Sequence, residues 1–183
     1  VYTLSATFSG NNYRSVASLD GSAYWLSGAG TATNGGELYV THQGSITPTA
    51  SVTQLSGTIV NARVVNIFNN QLYFSTGSGT VGLYTVGTGV PTTSGQTETN
   101  IFGSSSGTGT PSPYGFSFNS TGNVCYVADD RTVANGGGIQ KWVFTSSWAL
   151  SYTINPEGGS NTFGCRGLVV DYSGTNPVIY VTT

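Results

Sequence analysis

The chain has 183 residues, of which only 7% are charged, and its formal net charge at pH 7 is −2. Such a chain lacks the strong basic field that holds nucleic acid or an anionic membrane surface, and its 37% of apolar residues argues against disorder. We therefore expect one ordered domain with a core of its own, no nucleic-acid partner and no membrane span.

Taken in chain order, the elements begin with a loosely alternating strand at residues 1–9 and a turn that follows it, and then one pattern is repeated. The pattern is a hairpin, a glycine-rich exit, a third strand and a fourth strand. Asp20-Gly21 and Asn69-Asn70 stand at the first two hairpin tips, where such pairs are strong turn signals. The four hairpin copies occupy residues 14–30, 63–79, 114–130 and 166–182. Third strands are predicted at 37–41, 82–86 and 138–144, and fourth strands at 51–55, 96–102 and 148–154.

The copies start at positions 14, 63, 114 and 166, so the period is close to fifty residues. Four strands in a period of about 40–50 residues are typical of a β-propeller blade. The predicted fold class is all-β, a propeller of four-stranded antiparallel blades with three complete blades. The domain divides into the last strand of a preceding blade at 1–12, blades at 13–57, 58–103 and 104–156, and a half blade at 157–183. We expect the tyrosines of the second strands to pack between blades; they are Tyr24, Tyr73, Tyr126 and Tyr180.

Propellers close with four to eight blades, so three and a half blades leave open edges. Open edges invite pairing with other chains. The sequence therefore predicts either a fragment of a longer propeller or a ring completed by a neighbouring chain, and self-association if the fragment exists alone.

Several motifs resemble those of a family of large secreted repeat proteins that occur in bacteria and algae and are thought to be β-propellers. The motifs are Arg63-Val-Val-Asn-Ile-Phe-Asn-Asn-Gln-Leu-Tyr, Tyr126-Val-Ala-Asp-Asp130 and Gly136-Gly-Gly-Ile-Gln-Lys-Trp142, with shorter matches at 86–95 and 112–116. The resemblance implies a propeller, a secreted location and a longer parent chain. It implies no activity and no catalytic residues.

One repeat position is a candidate ligand site because it is basic in three of four copies. Arg14, Arg63 and Arg166 stand there, and Tyr114 takes the place in the third copy. First strands of propeller blades line the axis, so these side chains could converge and bind a carboxylate, sulfate or phosphate. The alternative is that each arginine clamps carbonyl groups of a neighbouring blade.

Acidic residues give only a weak metal candidate. Asp129 and Asp130, with Asn135 nearby, offer oxygen ligands for Ca²⁺, but they equally suit turn caps or ion pairs with Arg131 or Arg166. No spaced calcium loop is present, and no cofactor is predicted. The single histidine, His42, has no obvious catalytic partner in sequence, and no nucleophile elbow or phosphate loop occurs.

Many Ser, Thr and Gly with few Lys and Glu are common in secreted proteins, and three further features fit that expectation. Cys125 and Cys165 are an even pair on segments of adjacent units, which favours a disulfide over two buried thiols. Asn119-Ser120-Thr121 is a sequon for N-glycosylation at a hairpin tip. The Ser/Thr/Pro clusters at 45–53, 88–97 and 104–113 could carry O-linked sugars or be plain polar loops.

The favoured function is a non-catalytic structural or adhesive module of an extracellular surface layer, matrix or fibre. The second is a ligand-binding domain for an anionic glycan or small acid held by the axial arginines. A propeller hydrolase or lactonase ranks third, because arginine and tyrosine occupy the positions where such enzymes place metal-binding acids and histidines.

Overall fold

The computed structural model describes residue 4 and residues 7–8, 12–41, 51–103, 109–156 and 164–183. Its regular elements are strands, apart from short 3₁₀ segments such as Val133–Asn135, which the sequence pattern did not predict. The strand predicted at 1–9 lies largely outside the described residues, and His42 lies wholly outside them.

The strands form three four-stranded sheets and one two-stranded sheet, and neighbouring strands are antiparallel in every pair whose register is defined. Sheet 1 comprises β1 (Tyr13–Ala17), β2 (Ala23–Gly28), β3 (Gly36–Thr41) and β4 (Ser51–Gln54). Sheet 2 comprises β5 (Ala62–Phe68), β6 (Gln71–Thr76), β7 (Leu83–Val86) and β8 (Glu98–Phe102). Sheet 3 comprises β9 (Pro113–Phe118), β10 (Val124–Asp129), β11 (Gly138–Phe144) and β12 (Trp148–Ile154). Sheet 4 is the hairpin of β13 (Gly167–Asp171) and β14 (Val178–Thr182).

The structure confirms the all-β class and the repeated four-stranded antiparallel sheet. In each sheet the strands follow one another in sequence order, as hairpin-connected neighbours should. The turn between β5 and β6 explains why this sequence pattern predicts a hairpin. Asn69 and Asn70 both have positive φ, 46° and 56°. Two consecutive residues of this kind form the turn type whose twist matches a hairpin, and asparagine tolerates that conformation better than most residues.

The chain divides into two compact units, which are described separately. The first consists of Val1–Gly79 and Tyr84–Asn100, and the second of Thr80–Leu83 and Ile101–Thr183. The first unit contains sheet 1 and most of sheet 2, and the second contains sheets 3 and 4.

In the first unit, sheet 1 packs face to face on sheet 2. Trp25 enters a core whose other buried members are Leu55, Ala62, Val65, Leu72, Phe74, Tyr84 and Val86. The indole N–H of Trp25 donates to the Pro91 carbonyl at 2.8 Å, so its polar atom is satisfied inside the core. Burial of this apolar surface, at roughly 25 cal/mol per Å², is what stabilises the pair of sheets.

In the second unit, sheet 3 packs on the two-stranded sheet 4 in the same manner. Tyr126, Ala128, Ile139 and Cys165 form the buried cluster, against which Leu168 and other residues of sheet 4 pack. Strands β9 and β13 approach closely: the Gly115 N–H donates to the Arg166 carbonyl at 2.9 Å, and a Cβ at Gly115 would lie only 2.9 Å from that oxygen. Glycine is needed there because a side chain would push the strands apart.

The strand registers show that both units use the same repeat positions. Ala17 opposes Trp25 in sheet 1, Ser117 opposes Tyr126 in sheet 3, and Val169 opposes Tyr180 in sheet 4. We call the surface that carries these pairs the forward face of each sheet, and the opposite surface the receiving face. In sheets 1 and 3 the forward face packs on the receiving face of the following sheet.

This register corrects one prediction. The sequence alignment grouped Tyr24 with Tyr73, Tyr126 and Tyr180, but the structure puts Trp25 at that position. Tyr24 lies on the opposite, receiving face, because successive strand residues alternate between faces. A one-residue difference in hairpin alignment is enough to exchange the two.

Within the described ranges, no helix has the length and apolar character needed to cross a membrane.

Candidate functional site

In the first unit, both arginines at the predicted ligand position contact an adjacent sheet. Arg14 donates to the Ala62 carbonyl at 3.1 Å and also bonds the side-chain oxygen of Asn61. The Arg63 carbonyl accepts the Ser27 hydroxyl at 2.8 Å. Arg14 therefore links sheet 1 to the start of β5, which is the clamp that the sequence left open as an alternative.

In the second unit the same position brings Tyr114 and Arg166 together. The Arg166 guanidinium lies 5.3 Å from the Tyr114 ring centre and donates to Asp130 at 2.9 Å. The hydrogen bond and charge of Asp130 raise the pKa of Arg166 above its ordinary value. The pair is solvent-facing, because the Arg166 side chain is 62% exposed, so it contributes little to stability.

Asp129 and Arg131 form a two-pronged ion pair in the interior of the second unit. Arg131 Nε and a terminal guanidinium nitrogen donate to the two oxygens of Asp129, each at 3.0 Å. The Arg131 N–H and the Gln140 amide also donate to Asp129, at 3.0 and 3.2 Å. A carboxylate that accepts this many bonds from buried donors is a structural anchor.

These contacts assign both members of the weak metal candidate to ion pairs. Asp129 is bonded to Arg131, and Asp130 is bonded to Arg166. Among the residues that the structure describes, no group of three or more His, Cys, Asp or Glu side chains could hold a metal ion.

The predicted disulfide is not formed. Cys125 and Cys165 are both buried cysteines without a bond between them. The reason is strand alternation: Cys165 packs with Tyr126 on the forward face of sheet 3, whereas Cys125, the preceding residue, points to the other face. There its cross-strand neighbours are Phe118 and Trp142. Burial raises the pKa of the Cys125 thiol well above its ordinary value, so this thiol is uncharged and unreactive at neutral pH.

The sequon residue Asn119 has a structural task in the β9–β10 turn. Its side-chain oxygen accepts the N–H groups of Asn123 and Val124, each at 3.0 Å. Its side-chain nitrogen donates to Thr121 at 2.9 Å. Glycosylation of this nitrogen stays a prediction. Of the predicted O-glycan clusters, residues 45–50 and 104–108 lie outside the described part of the chain.

Sequence reasoning missed a pair of carboxyl groups in the first unit, Glu37 and Glu98. Glu37 lies on the forward face of β3 and is 0% exposed. Glu98, at the start of β8, accepts the Ile59 N–H at 3.0 Å. Within the described residues, neither Glu37 oxygen nor Oε1 of Glu98 has a hydrogen bond of regular geometry. Two acids placed at a sheet–sheet interface are unusual, because burying an unpaired charge is costly.

The pKa values of both carboxyl groups are raised, that of Glu37 the more strongly. Burial raises the pKa of Glu37 well above its ordinary value, and the charge of Glu98 and the contact with it raise this pKa further. Burial also raises the pKa of Glu98, but bonds from Glu37, Ser56 and Ile59 act against that rise. Of the two groups, Glu37 is therefore the one whose protonated form the fold favours more. No sequence motif marks either residue; only the fold brings positions 37 and 98 together.

The repeat itself shows that Glu37 replaces an apolar residue. The strand registers make Glu37 in β3 equivalent to Ile139 in β11. Ile139 is buried in the apolar cluster between sheets 3 and 4. Position 37 therefore carries an acid where the second unit has a buried isoleucine.

Comparisons with known proteins add no functional information, so any functional conclusion rests on the fold and on these contacts. No protein-family model matches the chain, and neither the curated proteins nor the solved structures compared with it include a match. The similarity of its motifs to secreted repeat proteins stays a prediction.

Proposed function

We propose that this chain is a non-catalytic structural module, built of β-propeller blades, that forms part of an extracellular layer, matrix or fibre. The observation that carries the proposal is the repeated packing of a forward face on the next receiving face, at Trp25 in the first unit and at Tyr126 in the second. A repeat whose copies share one packing surface is suited to forming larger assemblies.

The contacts of the candidate site residues support the same interpretation. Arg14 binds main-chain oxygen, Arg166 binds Asp130, and Arg131 binds Asp129. Arg14 and Arg166 join neighbouring sheets, and Arg131 fixes the end of β10. The low charge of 7% and the high content of small polar residues suit a hydrated surface outside the cell.

Propeller geometry is part of the proposal. Sheets that stack repeatedly in one sense, each with the native twist of β-sheets, fan about an axis when their first strands are the closest elements. The first strands do contact each other within each unit: Ser15 donates to the Val65 carbonyl at 3.4 Å, and Gly115 donates to Arg166.

Electron microscopy of the purified chain over a range of concentrations tests the proposal. We expect regular assemblies such as rings, filaments or layers made of wedge-shaped subunits. A population of isolated single chains at every concentration would contradict the structural role.

A further inference from the structure

The two packed sheet interfaces use the same three positions on each side. The forward-face set is Ala17, Ala23 and Trp25 in sheet 1 and Ser117, Val124 and Tyr126 in sheet 3. The receiving-face set is Val65, Leu72 and Phe74 in sheet 2 and Leu168, Ile179 and Val181 in sheet 4. The apolar members of these sets lie in the two core clusters.

The last sheet presents its forward face to solvent. Val169, Val178 and Tyr180 are the residues equivalent to Ala17, Ala23 and Trp25, and they are 65%, 50% and 60% exposed. In the described structure, nothing covers these three large apolar side chains. Exposed apolar groups that lie together on one face mark an interaction surface.

The first sheet exposes the β1–β2 part of its receiving face, whereas Leu38 and Val40 of β3, on the same face, are buried. The equivalents of Val65, Leu72 and Phe74 are Val16, Tyr24 and Leu26. Val16 is 59% exposed and Tyr24 is 36% exposed. An open pocket of about 300 Å³ lies here, lined by Tyr13, Arg14, Ser15, Val16 and Leu26.

We propose that the forward face of sheet 4 in one copy docks on the receiving face of sheet 1 in a second copy, with Tyr180 entering the pocket beside Val16. The contact continues an interface that the chain already makes twice, at the same repeat positions. Neither face carries an acidic or basic side chain at its three defining positions. Beside them, Arg14 lines the pocket of sheet 1 and Asp171 pairs with Val178 on sheet 4, so the two faces carry opposite charges.

This contact joins two different surfaces, so it is heterologous. A heterologous contact leaves one forward face and one receiving face open at the ends of each pair. It therefore generates a ring where the rotation closes and a filament where it does not. The inference rests on the proposed structural function and names its partner as a second copy of this chain.

Two face-blocking variants test the proposal. Tyr180→Glu places a charge on the forward face of sheet 4, and Val16→Glu places one on the receiving face of sheet 1. Both residues are largely exposed, so folding should be retained, which circular dichroism checks. Leu19→Glu is the matched control, because Leu19 is 58% exposed but lies at a hairpin tip outside both faces.

Sedimentation velocity should show oligomers larger than dimers for the original chain and for Leu19→Glu. Each blocked variant alone should be monomeric, with association weakened tenfold or more. An equimolar mixture of the two blocked variants should form one-to-one dimers and nothing larger, because one open face of each kind remains.

The outcomes separate this inference from the proposed function. If the original chain assembles and the blocked variants assemble equally well, the docking faces are wrong while the structural role stands. If one blocked variant still dimerises with itself, the contact is not heterologous and the proposal fails. If the original chain is monomeric, both proposals fail.

Discussion

Glu37 of sheet 1 faces Glu98 of sheet 2 inside the first unit, where the equivalent position of the second unit holds Ile139. Glu37 is fully buried, and this burial together with the charge of Glu98 holds the pKa of Glu37 well above its ordinary value. The stability of the first unit therefore depends on pH through this pair.

The direction of that dependence follows from the raised pKa of Glu37. At a pH above 4.5, the ordinary pKa of a glutamate, Glu37 has lost its proton in the unfolded chain but still holds it in the folded chain. The folded state then binds more protons, so the free energy of unfolding falls as pH rises. The fall should continue until the pH passes the raised pKa of Glu37 in the folded state.

Glu37→Gln should remove most of this fall, because an amide cannot lose a proton and can donate to Glu98. At pH 8 we expect the variant to be more stable than the original chain by about 1–3 kcal/mol. Urea unfolding between pH 5 and pH 9 measures it. Asp171→Asn, a change at an exposed carboxyl of β13, is the control and should leave the slope as it is. Parallel pH profiles for Glu37→Gln and the original chain would show that folding does not raise the pKa of Glu37.

The buried ion pair between Asp129 and Arg131 should matter far more than the exposed pair between Asp130 and Arg166. Arg131→Gln leaves the buried Asp129 charge without its main partner, at a cost of about 3–5 kcal/mol. Arg166→Gln breaks a solvent-facing pair and should cost less than about 1 kcal/mol. Chemical denaturation of both variants at pH 7 makes the comparison. Equal losses would mean that Asp129 is not anchored by Arg131 as described.

The corrected repeat register predicts unequal effects at adjacent positions. Trp25→Ala opens a cavity in the core of the first unit and should cost about 3–5 kcal/mol. Tyr24→Ala removes a partly exposed ring on the other face and should cost well under half of that. Thermal unfolding of the two variants decides which residue packs between the sheets. A larger loss at Tyr24 would restore the alignment suggested by the sequence.

The cysteines give a direct chemical test. Because both are buried and not joined, a thiol reagent should react with neither in the folded chain and with both after denaturation without a reducing agent. Cys125→Ser and Cys165→Ser should each leave one reactive thiol in the denatured chain. Finding no thiol in the denatured original chain would mean that a disulfide links the two.

The strands and hairpins were predictable because their signals are local. Asn69-Asn70 specifies its own turn, and strands such as Gly138–Phe144 and Trp148–Ile154 appear at the predicted residues. The side-chain faces were less predictable, since moving the alignment by one residue exchanges Tyr24 and Trp25 and separates Cys125 from Cys165. The Glu37–Glu98 contact could not be predicted at all, because 61 positions of chain separate its members and no motif connects them.

An experimental map of the purified chain would test the central claim most directly, namely that within each unit the forward face of one sheet packs on the receiving face of the next. We expect Trp25 between sheets 1 and 2, Tyr126 between sheets 3 and 4, and Tyr180 against Val16 of a neighbouring copy. A map in which the sheets join edge to edge, with Trp25 and Tyr126 facing solvent, would contradict the account.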